Sequence, residues 1–65
     1  MITVNGEPLD WHPGMTVQDV LDARKYTFRM IGVWVNDKPV AKGEFGTFVV
    51  PDSAVVQAIH MVSGG

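Results

Sequence analysis

Few side chains in this sequence are suited to chemistry. His12 and His60 are the only side chains that ordinarily titrate near neutrality, and they stand far apart on stretches that read as strand. A metal centre would need three or four ligands with a tight spacing somewhere, and no such run is present in the sequence. There is no cysteine, which excludes a thiolate nucleophile, a disulfide and a thiolate-held iron–sulfur cluster. The carboxylates fall in turns, at caps or on helix faces, where solvated structural roles account for them. Neither a Ser/His/Asp order nor a glycine-rich loop ahead of a helix is found. What remains is the acid that closes the stretch Met61-Val62-Ser63-Gly64-Gly65. Glycine has no Cβ, so Gly64-Gly65 makes a thread thin enough to pass down a narrow channel in another protein. A frayed terminus is the plain alternative.

Such a thread needs a body to carry it. Sixty-five residues allow one small domain, and a hydrophobic fraction of 46% supplies a core without staples. The formal net charge is −2 and the five basic residues are scattered, which leaves no footprint for nucleic acid. No apolar run approaches the length of a membrane span, and Met1-Ile2-Thr3-Val4-Asn5 lacks the basic start of a signal peptide. A soluble domain of the cytoplasm is expected. Residues 1–62 form the domain in this reading, and 63–65 a flexible tail.

Residues 2–5 alternate as a short strand, and Asn5-Gly6 is a strong two-residue turn signal. Leu9-Asp10-Trp11-His12 reads as the returning strand, with Pro8 at its start. Thr16 then caps a helix through Lys25, with Asp19 and Asp22 toward its positive end. Val17, Val20 and Leu21 form its buried stripe, and Met15 packs back as a staple. Residues 26–31 read as a connection whose Phe28 and Ile31 tuck under the helix end. Gly32-Val33-Trp34-Val35-Asn36 is a β-branched and aromatic strand, turning at Asn36-Asp37-Lys38 into Pro39-Val40-Ala41. Phe45 anchors a polar loop, and residues 47–50 are a short strand or an extended loop. A final strand over 55–62 runs into the glycines. No internal repeat is expected. The sum is an α+β domain, a mixed sheet of four or five strands with one helix on one face.

One helix leaves the other sheet face without cover. If Val33, Val35, Val56 and Ala58 point at the helix, alternation puts Trp34, Gln57, Ile59 and Met61 on the open face. Two readings of that face stand. Trp34 folds against Ile59 or Met61 to shield the sheet, or Trp34, Ile59 and Met61 form a docking patch for a partner. Tryptophan is enriched among binding hot spots, and methionine packs adaptably.

Ile2-Thr3-Val4-Asn5-Gly6, Thr16-Val17 leading Val20-Leu21, Gly32-Val33-Trp34-Val35-Asn36 before Val40, and the closing Val62-Ser63-Gly64-Gly65 together resemble the ThiS/MoaD group of ubiquitin-like sulfur carriers. The resemblance covers essentially the whole chain and in length is closest to the ThiS branch. Family members often carry Asp-Gly-Asp before the last strand, where this chain has Asp52-Ser53-Ala54.

The resemblance implies a β-grasp fold and a carrier, not an enzyme, whose Gly65 carboxylate is the reactive group. An E1-like adenylating enzyme would use Mg-ATP to activate it, and Ser63 and Gly64 would thread it into place. The chain itself would bind no cofactor. The chain would thus be a co-substrate of that adenylating enzyme, and a separate sulfur donor would convert the adenylate to a thiocarboxylate whose sulfur passes to a thiazole synthase-like acceptor in thiamin formation. Molybdopterin formation, a protein-modifier role and a plain β-grasp interaction module are the alternatives.

Overall fold

The computed structural model of the chain describes residues 1–27 and 30–60. Its elements follow as β1 (Ile2–Val4), β2 (Glu7–Leu9), α1 (Val17–Ala23), β3 (Ile31–Val35), β4 (Lys38–Val40), a 3₁₀ turn (Lys42–Glu44) and β5 (Val55–His60). Five strands make one sheet in the order β2-β1-β5-β3-β4, with β1 and β5 parallel and all other neighbours antiparallel.

Both hairpins close through two residues with positive φ, Asn5 (52°) with Gly6 (84°) and Asn36 (50°) with Asp37 (67°). This is the type I′ geometry, whose twist matches that of the strands it joins. Such a turn sets Val4 against Glu7 and Val35 against Lys38, so each return strand begins directly after the turn. The return strand expected at residues 9–12 therefore lies earlier. It ends at Leu9 because Leu9 already faces Ile2, the first residue of β1. Pro8 sits mid-strand opposite Thr3, and Pro39 opposite Trp34. In a two-residue hairpin that second pair makes no bonds across the hairpin, so each proline's missing N–H points outward and costs no ladder bond.

The helix runs from Val17 to Ala23, shorter than the expected span, and every N–H of its first turn is satisfied. Thr16 Oγ1 accepts from Asp19 N–H at 3.2 Å while the Asp19 carboxylate accepts from Thr16 N–H at 3.0 Å. This reciprocal pair is a capping box. The N–H groups of Val17 and Gln18 donate to Phe48 O (3.1 Å) and Phe45 O (2.8 Å) of the loop that follows β4. The Asp19 carboxyl is held below its ordinary value of 3.8, chiefly by the Thr16 backbone N–H. A depressed carboxyl contributes stability that is complete above its ordinary pKa and lost as pH falls through the folded value. The urea midpoint of the natural chain should therefore drop more steeply below roughly pH 4 than that of Asp19→Asn, as a pH series of unfolding curves would show.

The helix ends in a Schellman pattern. Lys25 N–H donates to Asp22 O at 3.1 Å and Tyr26 N–H to Leu21 O at 2.9 Å, with Lys25 itself at φ 57°. Ser53, in the middle of the Asp52-Ser53-Ala54 turn, stands at φ 63°. Left-handed backbone costs an L-residue energy that glycine does not incur. Lys25→Gly and Ser53→Gly should each raise unfolding free energy by about 0.5–1 kcal/mol, measured by urea denaturation.

The core is almost wholly aliphatic. Ile2, Val4, Val33, Val35, Val56 and Ala58 of the sheet meet Val17, Val20 and Leu21 of the helix, and Met15, Val40, Phe45, Val50 and Ala54 close the rim. Leu9, Trp11, Tyr26, Ile31 and Phe48 pack onto it partly buried. Trp11 belongs to no strand, because its indole N–H donates to Val50 O at 2.7 Å and holds it at the core edge. Ile31 opens β3 opposite His60 instead of lying in a connection, while Phe28 is outside the described residues. Residues 47–50 form a loop with one isolated bridge, Val49 to Thr16: Thr47 and Phe48 N–H turn back to Glu44 O, Phe48 O accepts from Val17 N–H, and Val50 N–H donates to Met15 O. The final strand is described to His60, and residues 61 and 62 are outside the described residues.

Candidate functional site

The open sheet face is built from the residues that alternate with the core. Val33 and Val35 are buried, so Gly32 and Trp34 turn away from the helix; Val56 and Ala58 are buried, so Val55, Gln57 and Ile59 do likewise. The strand registers set these residues in three rows. Pro39, Trp34 and Gln57 form one, Pro8, Thr3 and Val55 a second, and Gly32 with Ile59 a third.

Trp34 is half-buried and stands diagonally from Ile59 across the β3–β5 pair, within reach of a large side chain. Ile59 is 49% exposed because its direct partner is Gly32, which has no side chain to lean on it. Val55, 52% exposed, extends the face toward β1. One more step of the alternation that placed Gln57 and Ile59 would have found it in the sequence. Every residue in the three rows is uncharged. The structure thus brings Trp34 and Ile59 onto one face; Met61, Ser63, Gly64 and Gly65 lie outside the described residues.

A polar network flanks the C-terminal half of β5. The Asn5 side chain pairs with the backbone of Ala58, Oδ1 accepting from its N–H at 2.9 Å and Nδ2 donating to its carbonyl at 3.0 Å. Nδ2 also reaches the Tyr26 hydroxyl at 3.3 Å. The Arg24 guanidinium donates to the Glu7 carboxylate, and that contact first and the Tyr26 hydroxyl second raise its pKa above the ordinary value. Sequence reasoning saw in Asn5 only a turn residue, because nothing in its neighbours announces a partner fifty positions on.

His12 and His60 are both exposed, His12 Nδ1 lying 3.0 Å from Pro13 O. Among the described residues no group of three or more His, Asp or Glu is placed to hold a metal ion. Among them, too, no helix is long and apolar enough to cross a membrane.

The comparisons with known proteins agree with this geometry. The model of the ThiS family matches residues 2–65. The chain belongs to the ThiS family. Its five-stranded sheet under one helix is the β-grasp of these ubiquitin-like sulfur carriers. Among solved structures, this ThiS-family chain is similar to the thiamine biosynthesis protein (ThiS) from Geobacter metallireducens. That match has a TM-score of 0.79 at 25% identity and covers 98% of this chain and 97% of the other. No curated protein matches it.

Proposed function

We infer that this ThiS-family chain carries sulfur as a thiocarboxylate on Gly65 and delivers it to thiazole formation in thiamin biosynthesis. The observation that carries the reading is the family match, which runs through Ser63-Gly64-Gly65. The similar structure from Geobacter metallireducens, a thiamine biosynthesis protein, supports the choice of pathway.

The chemistry follows from the terminal acid. A carboxyl with a pKa of about 3.5 is an anion at neutral pH and a poor acyl electrophile. An E1-like adenylating enzyme supplies Mg-ATP, and a Gly65 carboxylate oxygen attacks the α-phosphorus while pyrophosphate leaves. The acyl-adenylate then loses AMP to the terminal sulfur of a persulfide donor. A thiol cleaves the resulting S–S bond, keeping the donor sulfur as a disulfide and leaving the thiocarboxylate. This chain has no cysteine, so donor and cleaving thiol both belong to other molecules. Cations that stabilise the phosphoryl transition state come from the enzyme as well. The chain contributes the handle: Ser63 and Gly64 as thread, and Trp34, Ile59 and Met61 as the patch by which its partners hold it.

Incubation with adenylating enzyme, Mg-ATP and sulfur donor tests the reading. Intact-mass measurement should show one oxygen replaced by sulfur at Gly65. An unchanged mass with an enzyme competent on another carrier would overturn it in favour of an interaction module. Adducts to lysines of other proteins would mark a modifier.

A further inference from the structure

We propose that Asn5 is a positioning residue for the reaction at the end of the chain, acting by holding residues 58–60 of β5 in place. The proposal rests on the carrier function inferred above, although its structural half stands without it.

β5 needs support on one side where the sheet no longer gives it. β1 pairs with β5 only through Thr3↔Val55 and Val4↔Val56. The last backbone bond on that side is Asn5 N–H to Val56 O, 2.9 Å. At Asn5 the chain swings into the type I′ turn at φ 52°, and β1 is gone. Ala58, two residues further, still directs its N–H and carbonyl to that side, since the Asn5 amide is bonded to both. A primary amide has the donor and acceptor of a peptide group, so the side chain extends the parallel ladder by one rung beyond the end of its strand. The alternative orientation of the amide would set NH₂ against N–H and oxygen against oxygen, so the pairing fixes the assignment.

The rung is itself braced. Asn5 Nδ2 also meets the Tyr26 hydroxyl, the Tyr26 ring packs against the core, and Arg24 ties the same hydroxyl to Glu7. The first hairpin, the helix end and β5 therefore meet at one amide. From this end of β5 the chain continues to residues 61–65.

The second hairpin offers an internal control. Asn36 has the same turn geometry, φ 50°, and its Oδ1 also accepts from β5, but from Val55 N–H at 2.9 Å, at the strand's other end. Asn5→Gly and Asn36→Gly each keep the positive φ and remove only the amide. Amide hydrogen exchange on the full chain should show Ala58 and residues 59–60 exchanging at least about tenfold faster in Asn5→Gly, with Val4 and Val33 as references for global opening. Asn36→Gly should leave residues 58–60 unchanged relative to those references. With the adenylating enzyme, Asn5→Gly should lower kcat about tenfold and leave KM within about twofold, because docking is intact and only the approach of the acid is loosened.

Unchanged exchange at Ala58 in Asn5→Gly would overturn the proposal. So would the same change at Ala58 in Asn36→Gly, or a rise in KM with kcat preserved. If the natural chain is not adenylated at all, the carrier function falls, and the proposed role in the reaction with it, while the exchange data still decide whether Asn5 holds β5.

Discussion

Gly65→Val should yield a folded chain that its adenylating enzyme cannot charge. A Cβ with two methyl groups restricts φ and ψ and widens the thread at the point where the acid must meet the α-phosphate. Misplacing reacting atoms by about 1 Å costs on the order of a hundredfold, so a loss of at least that size in kcat/KM is expected. Adding one alanine after Gly65 should do the same for another reason, since one extended residue displaces the carboxylate by about 3.5 Å. Pyrophosphate release and intact mass report the loss. Thermal unfolding should be unaffected, because the buried core among the described residues runs from Ile2 to Ala58. Thiocarboxylate formation by either variant at the natural rate would return Gly64-Gly65 to the status of an ordinary chain end.

Trp34→Ala should weaken binding to the adenylating enzyme by about 2 kcal/mol, or roughly thirtyfold in Kd. Trp34 holds the middle of the row from Pro39 to Gln57 on an uncharged face with no covering element among the described residues. Ile59→Ala should cost about 1 kcal/mol, because its side chain has less area to bury. Val49→Ala is the matched control: it removes an equally exposed aliphatic, 54% accessible, at the bridge to Thr16, and should leave Kd unchanged. Calorimetric titration gives the three values, and urea unfolding of the same proteins separates binding from stability. A Trp34→Ala chain that loses stability and keeps its affinity would make the indole a shield over the sheet and nothing more.

Much of the architecture was legible because local signals agreed. Thr16 announced the helix cap, Asn5-Gly6 the first turn, and the alternation through Val33, Val35, Val56 and Ala58 sorted the two sheet faces, although the reciprocal bond from Asp19 that completes the capping box was not foreseen. Errors came where a partner distant in sequence decides the outcome. Leu9 to His12 alternates well enough for a strand, but Leu9 has reached the end of β1 and Trp11 is claimed by the Val50 carbonyl. Of the two readings open for residues 47–50, strand or extended loop, the loop is found: Phe48 O accepts from Val17 N–H at the helix start, Val50 N–H donates to Met15 O, and Val50 O accepts from Trp11.

The expectation of no repeat also needs amending. Val4-Asn5-Gly6-Glu7-Pro8 and Val35-Asn36-Asp37-Lys38-Pro39 share the pattern Val-Asn-x-x-Pro. The structure gives both copies the same hairpin register, with valine opposite the first return residue and proline opposite the residue before the valine. Each asparagine then bonds to β5, one from either side. Five residues are too few to stand out by self-comparison, and the reason for the recurrence is visible only once both hairpins flank one strand.

The prolines of that pattern also limit how the protein can be held. β2 and β4 are the outermost strands, three residues each, and the group each would offer outward at its centre is the N–H that Pro8 and Pro39 lack. An incoming peptide strand would find a carbonyl at that rung and no donor, so recognition by sheet extension is disfavoured at both margins. The same missing donors keep neighbouring copies from zipping edge to edge into fibres at these two margins.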